Sequence, residues 1–155
     1  MIDFTTINYL KEGNERQKRA YEVLSKYKIF EKLSNYSPLL AGTIPIEIDI
    51  EESDLDIICE VEDKAEFEGF LIQSFKNFNL RIEKLDINNE ESLVCNFELE
   101  EFPIEIFGQK KTVTEQNAYR HMIAEYRILQ EKGENNRTKE KRNQNGTRFR
   151  NVDGA

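Results

Sequence analysis

Two aspartates and a glutamate are the residues of this sequence with the clearest capacity for chemistry. Asp54 and Asp56 lie two apart in a strand-like run, so both side chains leave one face while Leu55 and Ile57 point into the core. Glu105 lies in a second such run. Adjacent carboxylates repel each other unless a cation lies between them or one takes a proton. If the two strands are neighbours, the three carboxylates would form a site suited to Mg²⁺ and a nucleotide's phosphates.

The same pattern has a purely structural explanation. Acidic residues that alternate with apolar ones are typical of the solvent-facing side of a sheet. Two metal ions held by the three carboxylates could activate an attacking hydroxyl and stabilise a leaving pyrophosphate, whereas solvated carboxylates would do neither. The alternation alone leaves both interpretations open.

A glycine and a hydroxyl residue, Gly42-Thr43, end a short apolar run shortly before Asp54. Glycine lets backbone amides approach a phosphate, and the hydroxyl donates a further hydrogen bond. An ordinary strand-ending turn can have the same two residues. Their position before the carboxylates is what favours a phosphate-binding turn.

The elements that position these residues follow from apolar periodicity. Residues 5–33 are predicted to form two helices divided by Gly13, with Asn14 and Gln17 at capping-box spacing. Predicted strands cover 39–41, the alternating isoleucines of 46–50, and then 54–61, 79–87, 92–99 and 102–107. Between them, Asp63 is predicted to cap a helix with Phe67, Phe70, Leu71, Phe75 and Phe78 on its apolar face.

The last predicted helix begins near Thr114 and buries Ala118, Met122, Tyr126 and Leu129. Helices, a strand pair, a helix, a strand trio and a helix follow one another along the chain. This order predicts one α/β (α+β) domain over residues 1–133, with a mixed sheet flanked by helices.

The glycine, the hydroxyl residues and the three carboxylates together make the sequence resemble the nucleotidyltransferase superfamily. Gly42-Thr43 followed by Ser53-Asp54-Leu55-Asp56 is similar to its Gly-Ser/Thr and Asp-x-Asp signature, and Ile104-Glu105-Ile106 is similar to the strand with its third carboxylate. The resemblance implies transfer of a nucleoside monophosphate from a nucleoside triphosphate to an unknown acceptor. It also implies triphosphate binding at Gly42, Thr43 and Ser53, and Mg²⁺ or Mn²⁺ at Asp54, Asp56 and Glu105, with Glu105 as a base or a further ligand.

Several segments also resemble an uncharacterised bacterial family, a domain of unknown function in or near that superfamily. These segments are 13–17, 42–46, 105–109 and 116–122, within a resemblance that covers roughly residues 7–131.

One departure from the superfamily signature concerns the phosphate-binding turn. Many active members of the superfamily place Arg-Gly after the Gly-Ser, whereas Ile44-Pro45-Ile46 stands here, and proline removes an amide donor.

Four other polar residues are candidates for the same cleft. His121 is the only histidine and lies one helical turn from Asn117 and from Glu125, with which it forms a polar stripe. It could contact a phosphate or simply be hydrogen-bonded on a helix face. Arg16 and Gln17 could reach an anion from the first helix, although exposure is the ordinary state of such residues. Gln109 follows the strand that carries Glu105.

Charge and cysteine usage limit the class of protein. The net charge is −8, yet residues 132–155 carry +4 and the remainder −12. So acidic a body argues against nucleic-acid binding, because it would repel a nucleic-acid backbone unless a basic groove overrides it. Cys59 and Cys95 are predicted to be buried free thiols in a reducing compartment, so we expect a cytoplasmic protein. No apolar run approaches membrane-span length, and no secretory signal is recognised.

Residues 134–155 differ from the rest of the chain. They lack apolar periodicity and are predicted to be disordered. A basic nucleic-acid-binding arm is one interpretation. Our hypothesis is a frameshift, because suitable codons read one nucleotide later encode Thr-Glu-Pro-Ala-Phe-Ala, which resembles a C-terminal motif of the same bacterial family. The coding DNA would decide between them.

Three functions therefore remain as expectations. The first is a metal-dependent nucleotidyltransferase that acts on a small molecule or a protein side chain. The second is a non-catalytic module that binds a nucleotide or a partner protein, in the manner of antitoxin-like members of the superfamily. The third, a nucleic-acid-binding protein, requires the basic tail to be native.

Overall fold

The N-terminal part of the chain is helical in the computed structural model, which describes residues 2–87 and 89–142, with side chains as far as residue 133. A 3-10 helix, Asn8–Glu12, precedes α1 (Glu15–Lys26) and the short α2 (Ile29–Lys32). The predicted capping box is confirmed. The Asn14 side chain accepts from the Gln17 N–H, and the Gln17 side chain accepts from the Asn14 N–H.

Five strands form one mixed sheet, in the order β1-β2-β5-β4-β3. They are β1 (Leu39–Ala41), β2 (Leu55–Glu60), β3 (Arg81–Ile87), β4 (Glu90–Leu99) and β5 (Phe102–Gln109). β2 and β5 run parallel, and the other three pairings are antiparallel. The sheet confirms the predicted α/β class and makes the strand of the aspartates the direct neighbour of the strand of Glu105.

Helices cover both faces of this sheet. One face packs against α1, α2 and α3 (Lys64–Ser74), and their shared core includes Val23, Leu24, Ile29, Leu55, Ile57, Phe67, Phe97 and Ile106. The opposite face packs against α4 (Asn117–Arg142) through a smaller cluster that includes Leu39, Ala41, Ile58 and Met122. Asp63 caps α3 as predicted, since its carboxylate accepts from the Glu66 N–H.

The alternating isoleucines after Gly42 do not form the predicted strand. Residues Ile44–Ile46 form a 3-10 turn, and Glu47 takes a left-handed conformation with φ of 62°. Pro45 fixes its own φ and has no N–H to donate to a sheet, which favours the turn. The turn buries Ile46 and leaves Ile50 67% exposed, so alternation here does not reflect a strand.

The last helix begins later and extends further than predicted. Thr114 lies within a 3-10 turn, Val113–Glu115, and α4 begins at Asn117. Gln116 holds this junction, because its buried side chain donates to the carbonyls of Cys59 and Lys111. The helical backbone continues through residue 142, so the first part of segment 134–155 is helical rather than irregular. Residues 143–155, and with them most of the predicted tail, lie outside the described residues.

Two further expectations bear on burial. Both cysteines are free and buried, as predicted, and burial raises the pKa of the Cys95 thiol to about 11. Ala118 is exposed on α4, contrary to the prediction, whereas Met122 is buried and Tyr126 and Leu129 are partly buried.

None of the helices within the described residues has the length and apolar character needed to cross a membrane.

Gln17 ties α1 to the turn beside the carboxylates and supports a first prediction. It is 4% exposed, and its Nε2 donates to the carbonyls of Ile44 and Pro45 at 3.0 and 3.2 Å. Gln17→Leu keeps the volume but removes the partners of the Pro45 carbonyl and the Asn14 N–H, and it leaves the Ile44 carbonyl with only the Glu47 N–H. We expect a loss of about 2 kcal/mol in the free energy of unfolding in urea. Exposed Lys18→Ala is the control and should change it by less than about 0.5 kcal/mol. Equal stabilities of the two variants would contradict this role for Gln17.

Candidate active site

The three predicted carboxylates lie on the sheet face that α4 covers. Asp56 and Glu105 are direct partners across the parallel pair β2 and β5. Asp54 comes just before β2, two residues from Asp56, so strand alternation gives it the same face. Further along the same face, Ile58 and Phe107 pack in the α4 cluster. The carboxylates therefore stand at the point where the apolar contact between sheet and helix ends.

Their electrostatics show uncompensated negative charge. Burial, followed by the charges of Glu105 and Asp54, raises the pKa of Asp56 to about 7. Burial and the charge of Asp54 also raise the pKa of Glu105. No lysine or arginine among the described side chains forms an ion pair with Asp56 or Glu105. One of these carboxyls therefore keeps a proton, or an external cation is needed for all of them to ionise.

Oxygen donors and surplus negative charge suit a hard divalent cation. Among the side chains that the structure describes, however, no three Asp, Glu, His or Cys residues converge closely enough to hold a metal ion by themselves. Mg²⁺ is commonly bound through only one or two carboxylates, with waters and substrate phosphates as the other ligands. The residues present therefore fit a cation that is shared with a bound phosphate.

Gly42 lies directly beside the carboxylates. Its neighbour Ala41 pairs with Asp56 across β1 and β2, and Gly42 has a φ of +89°. A Cβ placed on Gly42 would lie 2.6 Å from Asp56 Oδ2. Both the backbone conformation and the close approach of the carboxylate therefore require glycine here.

Thr43 and Ser53 form a pair of hydroxyls next to Gly42. Thr43 Oγ1 donates to Ser53 Oγ at 3.1 Å, and the Ile50 N–H donates to the same Ser53 oxygen at 2.9 Å. The hydroxyl–hydroxyl bond uses one of the two hydroxyl protons. The other remains for a ligand oxygen, which suits a phosphate-binding turn.

A cleft of about 530 Å³ opens between this turn and α4. Its walls include Gly42, Thr43 and Asp56 on the sheet side and His121 and Glu125 on the helix. Apolar side chains supply the remaining walls: Ile46, Ile48, Ala118, Met122, Ala124 and Ile128. This volume is within the range of about 300–1,000 Å³ that small-molecule sites occupy.

The structure places the other three candidate cleft residues elsewhere. Arg16 stacks its guanidinium 4.7 Å from the Phe102 ring centroid and donates to the Glu51 carbonyl at 2.8 Å, so it fastens the loop before Asp54. Gln17 is committed to the α1 cap and the Ile44–Ile46 turn. Gln109 is buried at the opposite end of β5, where it donates to Ser92. Of the four candidates, only His121 lines the cleft.

Two residues at the site were not among the candidate site residues of the sequence analysis. Glu125 lines the cleft from α4, and its spacing of four residues from His121 was the available signal. Asn96 is the direct partner of Glu105 on β4 and so shares its face. Its signal was the alternation of polar and apolar residues in β4. In neither case did the sequence indicate which element lies opposite.

The fold and the site define an α+β protein whose mixed sheet carries paired carboxylates beside a glycine turn. Comparison with known families matches residues 22–148 to DUF4269, a domain of unknown function. The chain therefore belongs to this family, which confirms the predicted kinship with an uncharacterised domain. The match includes Gly42, Asp56, Glu105 and His121, begins after Gln17, and extends well into segment 134–155. No curated protein and no solved structure gives a significant match.

Proposed function

We propose that this protein is a metal-dependent nucleotidyltransferase that transfers a nucleoside monophosphate to a hydroxyl of a small-molecule or protein acceptor. The observation that supports it best is the pairing of Asp56 with Glu105 across β2 and β5, beside the Gly42 turn. A divalent cation, when bound, would polarise the phosphates and neutralise charge on the leaving pyrophosphate. It would be held by Asp56 and Asp54, with Glu105 as a further ligand or as the base.

The remaining steps belong to residues of this chain. Gly42 and the Thr43–Ser53 hydroxyl pair would hold the triphosphate by hydrogen bonds from backbone and side chain. Glu105 would accept the proton of the acceptor hydroxyl as its oxygen attacks the α-phosphorus. The bond from the α-phosphorus to the oxygen that bridges to the β-phosphorus then breaks, and pyrophosphate leaves. Burial and the charge of Asp54 raise the pKa of Glu105, which makes its carboxylate a stronger base.

Calorimetric titration tests the nucleotide site. ATP, GTP, CTP and UTP are titrated with and without Mg²⁺ into the protein and into Asp54→Ala/Asp56→Ala. We expect binding that requires Mg²⁺ and that weakens about 100-fold in the double variant, equivalent to about 2.7 kcal/mol. The control Glu60→Ala removes a carboxylate at the far end of β2, where Glu60 pairs with Gln109, and should bind normally.

Binding of none of the four nucleotides by a chain that melts cooperatively would contradict the proposal. Pro45 lies in the stretch where many active members of the nucleotidyltransferase superfamily place Arg-Gly, so that result would favour a non-catalytic module. Such a module would bind its partner protein equally well with and without the two aspartates.

A further inference from the structure

We propose that the cleft between the Gly42 turn and α4 binds the base of the nucleotide, and that Glu125 selects guanine. This inference rests on the proposed function, because the cleft lies next to the triphosphate site assigned there. It goes further by naming which nucleoside triphosphate the site takes.

The first support is the shape of the α4 wall. Ala118, His121, Glu125 and Ile128 follow one another at spacings of three, four and three residues, so they form one stripe along the helix. At 1.5 Å per residue the stripe is about 15 Å long. Ala118 and Ala124 carry only a methyl group and are exposed. The wall is therefore long enough for a nucleoside and leaves room for a ring against the helix.

The second support is the distribution of polar and apolar groups. Gly42 and Thr43, to which the triphosphate is assigned above, and Asp56 occupy the sheet side of the cleft. Ile46 and Ile48 from the loop, and Met122 and Ile128 from the helix, supply apolar surface. A nucleotide has the same division, with a charged triphosphate at one end and a flat, weakly polar base at the other. Apolar walls bury the faces of the base and leave its edge for polar residues.

The third support is the hydrogen-bonding character of Glu125. A carboxylate accepts through two oxygens, and it forms no hydrogen bond or ion pair with any described side chain. Guanine presents two adjacent donors, its N1–H and its 2-amino group, which match both oxygens. The Watson–Crick edges of adenine and cytosine place one donor beside an acceptor, and uracil places one donor between two acceptors. Only guanine can therefore donate two parallel hydrogen bonds to a carboxylate.

His121 lies one turn from Glu125 and lines the same cleft. An imidazole N–H can donate to the 6-oxo group of guanine, which is next to N1–H. Adenine carries an amino group at that position and cannot accept there. The two polar residues of the helix stripe thus complement neighbouring atoms of one base.

The test is a calorimetric comparison of GTP, inosine triphosphate and ATP, each with Mg²⁺, in the full-length protein and in Glu125→Gln. Inosine triphosphate keeps the N1–H and lacks the 2-amino group. We expect GTP to bind about tenfold or more tightly than ATP, with inosine triphosphate between them, since each charge-assisted hydrogen bond contributes to the preference. In Glu125→Gln the GTP-to-ATP affinity ratio should fall to about one. Glu131→Gln, the same change at an exposed site of α4 outside the cleft, should keep the wild-type ratio.

A second variant tests where the base lies. Ala118→Phe fills the cleft from an exposed helix position and should weaken all three nucleotides. Undiminished binding in Ala118→Phe, equal affinity for GTP and ATP, or a GTP preference that survives in Glu125→Gln would each overturn the inference. If Mg²⁺-dependent binding is still lost in Asp54→Ala/Asp56→Ala, the proposed function stands without it. If no nucleotide binds the wild-type protein, both fail together.

Discussion

Gly42→Ala should abolish Mg²⁺-dependent nucleotide binding and destabilise the fold at once. The new Cβ would lie 2.6 Å from Asp56 Oδ2, and alanine would have to adopt a φ of +89°. The backbone conformation alone costs on the order of 1–2 kcal/mol for a residue with a Cβ. Relief of the collision moves either the Asp56 carboxylate or the turn that would hold the triphosphate. We expect a total loss of about 2–3 kcal/mol in the free energy of unfolding.

Urea unfolding followed by circular dichroism measures the stability, and calorimetry with Mg²⁺ and each nucleotide measures binding. Gly69→Ala is a matched control, because Gly69 lies in α3 and a Cβ there would meet no atom within 4 Å. That substitution should stabilise the protein by about 0.5–1 kcal/mol, since alanine is the better helix former. Wild-type stability and wild-type binding in Gly42→Ala would show that the turn tolerates a side chain and has no special role beside Asp56.

Asp56→Asn should stabilise the protein at neutral pH while it removes Mg²⁺-dependent binding. The ionised carboxylate is buried beside Glu105 and Asp54, and an amide of nearly the same shape carries no charge to repel them. A pKa displaced from 3.8 to about 7 corresponds to about 4 kcal/mol of unfavourable ionisation at full strength. Solvent reaches part of this group and the structure relaxes, so we expect a gain of about 2 kcal/mol. Gain of stability with loss of function is the pattern expected of a binding residue held under repulsion.

The pH dependence of the stability gained in Asp56→Asn tests whether charge repulsion is its cause. Between pH 4 and 7 the folded protein keeps a proton on Asp56 that the unfolded chain releases, so this group's contribution to stability is lost as pH rises through about 7. The stability difference between Asp56→Asn and wild type should grow over that interval and level off above it. Glu60→Gln, on the same strand, is the comparison and should show no such growth. A difference that stays constant with pH would mean that Asp56 is not held under charge repulsion.

Mg²⁺ should reverse the order of the two proteins. Because the cation neutralises the carboxylates, it stabilises wild type by mass action and does little for Asp56→Asn. In thermal melts at pH 8 with a nucleoside triphosphate present, increasing MgCl₂ should therefore raise the melting temperature of wild type and leave that of Asp56→Asn unchanged. An equal response of both proteins to Mg²⁺ would contradict a cation site at Asp56.

Local patterns in the sequence were sufficient for most individual elements. The Asn14–Gln17 box, the Asp63 cap and the strands around Asp56 and Glu105 all depend on neighbours within four residues, and the structure contains each of them. Alternation also assigned Leu55 and Ile57 to the core and the aspartates to the opposite face. The strand predicted from Ile46 to Ile50 is wrong, because a chain segment that follows a proline turn can show the same alternation of apolar and polar residues as a strand.

What the sequence determined by itself is therefore the identity of the elements and the side of each strand on which the carboxylates lie. Only the tertiary structure decided that β2 pairs with β5, that Gly42 meets Asp56, and that α4 closes a cleft with Glu125. It also shows that Arg16 and Gln109, which the sequence analysis assigned to that cleft, lie outside it. The physical reason is that periodicity is a property of one element, whereas a site is made by contacts between elements far apart in the chain. Those contacts are chosen by burial and packing of the whole core, which no local spacing encodes.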